Sequence, residues 1–259
     1  MKKILFALVG AMAMMMTSCL PEPEFNYTVQ YRRTTTIDTT TSTVTFKADY
    51  TGETFNNITN LKTTDELDIF GLEGAKRAEI LVQLNVDASY KGSLFMLDAR
   101  KIDILPVTNK MPTEEQMPLL GFQSYPLGGT SLTPTVWVSE GYLNVLPVVP
   151  SEKLAKYHFM PEKVVRDSLF FNLTATYEEN SGNTMYEDIH CYDLRTLRDT
   201  ADADAELRDK MRDVLTAMKE NDSVRIFVTG KFIEYNYNHQ GKDTIRTINH
   251  ITNYFKYNF

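Results

Sequence analysis

The chain has 259 residues, 42% hydrophobic and 24% charged, a balance that supports a folded core and excludes a wholly disordered chain. Its formal net charge of −7 excludes nucleic acid as a partner, because that needs Lys and Arg clustered on one surface. Two cysteines cannot build a disulfide framework, so stability rests on core packing, and the length allows one large or two small domains.

The first predicted element is a leader. Lys2 and Lys3 form a short basic region, Ile4 to Met16 carry no charge, and the small residues Thr17 and Ser18 precede Cys19. The apolar run falls short of the roughly 20 residues a spanning helix needs, and its order is that of a secretory signal with a cleavage site. A small residue directly before Cys resembles a bacterial lipobox, with Met16 standing where Leu is usual. Residues 1–18 are therefore expected to be a lipoprotein signal peptide, and Cys19 the lipid anchor whose acyl chains bind the membrane. Pro21, Glu22, Pro23 and Glu24 make a stiff acidic spacer, and residues 19–34 are read as anchor and linker. The expected location is the cell envelope, as an outer-membrane lipoprotein on its periplasmic or surface face. An acylated Cys19 leaves Cys191 without a partner in the chain.

Residues 35–115 read as the first β domain. Ile37, Val44 and Phe46 offer a sparse apolar face within the threonine-rich stretch from Arg32 to Phe46. A solvated stalk is the competing reading before Thr40. Glu79 to Asp87 and Ser93 to Pro106 are apolar runs split by Tyr90, Lys91 and Gly92, which predicts a strand pair with a short turn. Residues 116–134, with several Pro and Gly, read as a linker.

Residues 135–259 read as a second β domain. Strands are predicted at Thr135–Val138, Leu143–Val149, Ser168–Tyr177, Met185–Leu194, Val224–Glu234 and Thr244–Tyr257, with turn chemistry at Asn180–Asn183 and Asn238–Asp243. The exception is a helix near 200–220, where Leu207, Met211, Val214, Leu215 and Met218 share one face. Asp199 can cap it, and Lys219 with Asn221 mark its end. Phe255, Tyr257 and Phe259 fall on one face of the last strand, as in some outer-membrane barrels. The chain offers few of the alternating lipid-facing strands such a barrel needs, so a core-facing sandwich edge is expected.

No catalytic residue, metal site or cofactor emerges. The nucleophile-elbow, zinc-protease, Walker and dinucleotide patterns are all missing from the sequence. His158, His190, His239 and His250 are scattered, and His190 and Cys191 point to opposite faces of a strand. Asp202, Asp204 and Glu206 lack the glycine of a calcium loop, since Leu207 holds its place; they suit a helix start instead.

Around the lone tryptophan the chain reads T-P-T-V-W-V-S-E-G-Y-L-N-V. Trp137 followed by Gly141, Tyr142, Leu143 and Asn144 resembles the NigD-like lipoproteins. The stretches A-E-I-L-V-Q-L-N-V and H-C-Y-D-L-R are similar to other parts of that family. The resemblance implies a mainly β chain: a small OB-like barrel followed by a β-sandwich carrying one amphipathic helix. It implies structural roles for the five motif residues and a non-enzymatic function of binding or bacteriocin-immunity type, toward an unknown protein or glycan. The alternative is a carbohydrate-binding lipoprotein of an outer-membrane uptake system, with Tyr125, Tyr235 or Tyr237 stacking on sugar rings.

Overall fold

In the computed structural model the described residues are 27–40, 43–49, 51–87, 91–108, 112–114, 116–117, 119, 121–122, 135–148, 154–178, 189–198, 205–217, 224–234 and 244–252. Alternation of apolar and polar residues drives the first sheet. Strands β1 (Tyr27–Asp38), β2 (Thr45–Ala48), β3 (Thr54–Phe55), β4 (Arg77–Val86) and β5 (Gly92–Lys101) assemble in the order β3-β2-β1-β4-β5, all antiparallel. Every second residue of β4 points inward, so Ala78, Ile80 and Val82 are fully buried and pack with Phe46, Phe55, Leu72 and Met96.

The two ends of this sheet meet. A parallel bridge joins Ile58 to Leu94, the Thr59 amide donates to the Leu94 carbonyl at 2.8 Å, and Asn60 bonds both backbone groups of Met96. The strands thus run round a ring that one bridge spans without closing the ladder, the partly open barrel of an OB-like fold. Between β3 and β4 a 3-10 turn, Thr64–Phe70, opens on a Thr63–Glu66 capping box and ends at Gly71 with φ 66°.

The linker expected through residue 34 ends earlier than that. From Tyr27 to Thr36 each residue of β1 pairs with β4, because the ladder satisfies a polar backbone that composition alone leaves solvated. Arg33, Thr34 and Thr35 are buried, and Ile37, Val44 and Phe46 form part of the core as expected.

The remaining strands are β6 (Ile104–Pro106), β7 (Gln116–Met117), β8 (Gly121–Phe122), β9 (Val136–Ser139), β10 (Tyr142–Val145), β11 (Pro147–Val148), β12 (Leu154–Val165), β13 (Ser168–Glu178), β14 (His190–Asp193), β15 (Arg225–Glu234) and β16 (Thr244–Ile251). A second sheet has the order β6-β14-β10-β9, a third β12-β13-β15-β16 with β7 beside β13, and β8 pairs with β11. β12 escaped the sequence reading because Pro161 interrupts it; a register shift between Pro161 and Lys163 accommodates the proline. The segment read as a linker at 116–134 supplies β7 and β8, and Leu119 is buried with its backbone bonded to Lys231 and Ile233.

The second and third sheets face each other across an apolar layer. Val136, Leu143, Val145 and Tyr192 meet Phe159, Leu169, Phe171, Leu173, Ile226 and Val228, and the Phe159 and Phe171 rings stack at 4.5 Å. Helix α1 (Ala205–Ala217) covers one side with Met211 and Leu215 buried and Leu207 and Val214 partly buried, the face its periodicity predicts. Its buried Arg208 donates to the Val107 carbonyl at 2.7 Å, tying the helix to the chain beyond β6. Asp199, Met218, Lys219 and the tail from residue 253 lie outside the described residues.

Candidate functional site: a buried ionic clasp

The second sheet is buried on both faces. All four residues of β10 are buried: Leu143 and Val145 enter the sandwich core, while Tyr142 and Asn144 face the first sheet. The motif singled out from sequence creates this arrangement. β9 and β10 form a hairpin whose pairing Ser139–Tyr142 leaves Glu140 and Gly141 as the turn, with φ of 49° and 83°. Two positive φ values define a type I′ turn, whose twist matches the strands and which glycine adopts without steric cost. The register then sets Trp137 opposite Asn144 on the face toward the first sheet.

Asp49, just past β2, and Arg77, at the start of β4, complete the site. Arg77 donates to both Asp49 oxygens, Nη1 to Oδ1 at 2.8 Å and Nη2 to Oδ2 at 2.6 Å. Its nitrogens also reach Thr36 Oγ1 and Asn144 Oδ1, each at 2.7 Å. Trp137 Nε1 donates to Asp49 Oδ2 at 2.8 Å, and the Cys191 thiol donates to Asn144 Oδ1 at 2.7 Å. Asn144 Nδ2 in turn donates to the carbonyls of Trp137 and Tyr142. Arg77, Asp49, Asn144 and Cys191 have no solvent exposure at all.

Burial opposes the charge on Arg77, but the Asp49 carboxylate beside it outweighs that, so the guanidinium is held protonated more firmly than usual. Burial pushes the Cys191 thiol up to about 11, against the pull of Arg77. The thiol is therefore protonated at neutral pH, a hydrogen-bond donor with no nucleophilic character. On the other face of β14, His190 packs on Tyr157 at 4.2 Å, and burial lowers its pKa to about 4. Tyr142 lies beneath two guanidiniums, Arg77 at 5.3 Å and Arg195 at 4.4 Å, the latter held by Asp193.

These groups bind one another, and the cluster's chemistry is cohesion: it clasps the barrel to the sandwich. The structure brings Trp137, Tyr142 and Asn144 to one face, places Gly141 in the turn and sends Leu143 to the opposite face. Sequence reasoning missed Asp49 and Arg77, since neither residue's neighbours mark it as buried. Cys19, Tyr125, Tyr235, Tyr237 and His239 lie outside the described residues. His158 and His250 each meet a threonine hydroxyl, Thr176 at 3.2 Å and Thr135 at 3.0 Å. Among the described residues no group of three or more His, Cys, Asp and Glu side chains is placed to hold a metal ion.

The class these features define is a mainly β chain with a partly open barrel clasped to a helix-bearing sandwich. A solved structure of this kind is that of a Bacteroides fragilis protein described as a "putative lipoprotein", 14% identical, with a TM-score of 0.55 over 88% of this chain and 99% of that one. A NigD-like immunity protein from Bacteroides caccae is 11% identical, with a TM-score of 0.44 over 83% of this chain and 91% of that one. A Parabacteroides distasonis protein described as "putative toxin related" is 10% identical, with a TM-score of 0.44 over 88% and 94%. No protein-family model and no curated protein matches the chain. At 14% identity the likeness to the B. fragilis protein is one of fold.

Proposed function

We propose that this chain is a non-enzymatic protein of the bacterial cell envelope, of binding or bacteriocin-immunity type, anchored in the outer membrane through an acylated Cys19. The observation that carries this reading is the fold shared, over nearly the whole of both chains, with the B. fragilis protein described as a lipoprotein. The leader ending at Cys19 supports it independently. Cys19 stands eight residues before β1, so the barrel would sit within roughly 27 Å of the bilayer surface. Acyl chains contribute about 0.8 kcal/mol per buried methylene, and stable anchoring takes more than one chain. The buried clasp favours a non-catalytic body: the Arg77 Nη atoms, Asp49, Trp137 and Asn144 bind one another, and Arg77 Nε is the one clasp nitrogen without a hydrogen-bond partner among the described residues.

The test is fractionation of native cells with intact-mass measurement. The wild-type chain is expected in the membrane fraction, without residues 1–18 and carrying lipid mass on Cys19, and Cys19→Ala is expected uncleaved or soluble. A bare sulfur on a chain that retains its leader, or unchanged partitioning of the variant, refutes the anchor.

A further inference from the structure

Among the described residues strand β16 is an outer strand of the third sheet and pairs only with β15. Its sequence, T-I-R-T-I-N-H-I, exposes three isoleucines: Ile245 at 61%, Ile248 at 43% and Ile251 at 48%. A long edge strand with apolar side chains and no proline is a template for further pairing. Charges or a bulge usually blunt such an edge; here Arg246 is the one charged residue between Thr244 and Ile251.

The spacing says what fits this edge. The isoleucines sit symmetrically about Ile248, three residues to either side. Antiparallel self-pairing centred on Ile248 sets it against its own copy, Ile245 against Ile251 of the other chain, and Thr247 against Asn249. Each exposed isoleucine then has an isoleucine of the other copy as its cross-strand neighbour in one continuous sheet. Ile248 shares the face of Val228 and Phe232, whereas Ile245 and Ile251 lie on the opposite one. Arg246 meets His250, which burial keeps below its ordinary pKa and so neutral, and no like charges oppose. A shift by one residue loses every isoleucine pair.

We propose that β16 is a self-association edge through which two copies of this chain join their third sheets about a two-fold axis at Ile248. The contact is isologous, the same patch used by both copies, so it closes as a dimer. An eight-residue strand is roughly 27 Å long, which suits a weak dimer favoured by crowding on one surface.

The test uses the full chain with single cysteines added. Ile248→Cys would place the two copies' Cα atoms about 4.5–5.5 Å apart, inside disulfide range. Arg246→Cys would hold its mates roughly 14 Å apart, outside it. Under mild oxidation a dimer band is expected for Ile248→Cys at about tenfold or more the yield of Arg246→Cys and of the parent chain. Equal yields, or none for Ile248→Cys, overturn the proposal. Sedimentation velocity supplies a readout independent of thiol chemistry. Ile248→Lys, which sets two ammonium groups face to face, is expected to weaken association at least about tenfold while the chain stays folded. A parent chain monomeric at every concentration, or a folded variant that dimerises like the parent, overturns it as well.

Discussion

Replacing Asp49 by Asn is the sharpest test of the clasp. The substitution keeps the shape but removes the charge that faces Arg77 at 2.6 and 2.8 Å with no solvent access. It also turns one acceptor into a donor, so either an Arg77 nitrogen or Trp137 Nε1 loses its bond. Removing one partner of a buried ion pair costs about 3–5 kcal/mol, because the remaining charge is left uncompensated. For a domain of this size each kcal/mol lowers Tm by about 2–4 °C, so a fall of about 6–20 °C is expected by calorimetry. Trp137 is the lone tryptophan and bonds Asp49 directly, so its fluorescence reports on the clasp itself. Its emission is expected to shift to the red in Asp49→Asn and to change before the bulk of the circular dichroism on denaturation. A double-mutant cycle isolates the coupling: Asp49→Leu and Arg77→Met together should cost far less than their separate effects summed. A loss below about 1 kcal/mol for Asp49→Asn, or strict additivity in the cycle, refutes the clasp.

Three further outcomes follow from the same geometry. Gly141→Val forces a branched residue to φ 83° and should cost about 1–2 kcal/mol; an unchanged melting temperature would exclude the type I′ turn. His190 has a folded pKa of about 4 against an ordinary 6.5, so the unfolded chain binds its proton first. The stability it contributes is complete above pH 6.5 and falls away as pH drops toward 4, by about 3 kcal/mol in total. His190→Gln should flatten urea-midpoint profiles across that window, and identical profiles for the two chains would contradict the assignment. Cys191, with its thiol raised to about 11, should resist iodoacetamide at pH 8 and react once denaturant is added; peptide mapping that finds it alkylated in the native chain would show the clasp to be open.

Local pattern carried the β reading where one face of a strand is buried and the other is not. β4 and β5 were legible as two apolar runs split by Tyr90, Lys91 and Gly92, and α1 from apolar residues at helical spacing. β12 was hidden because Pro161 and the charges around it mimic a loop, and only pairing with β13 on one long ladder makes it a strand. The beginning of β1 was hidden for a related reason: Thr28, Gln30 and Arg32 resemble a solvated stalk until they lie against Asn85, Gln83 and Leu81 of β4.

By itself the sequence determined the β class, the helix and its buried face, and the turn residues at Gly141. These are properties of neighbouring residues, and periodicity or backbone preference expresses them without reference to the rest of the chain. Tertiary structure decided that Asp49 and Arg77 are buried, that the second sheet is covered on both faces, and that Trp137 and Asn144 bind the barrel. Those partners lie 28, 67 and 88 positions apart. A buried charge is stable only when its counter-charge arrives from elsewhere in the fold, and no local pattern of residues announces that meeting.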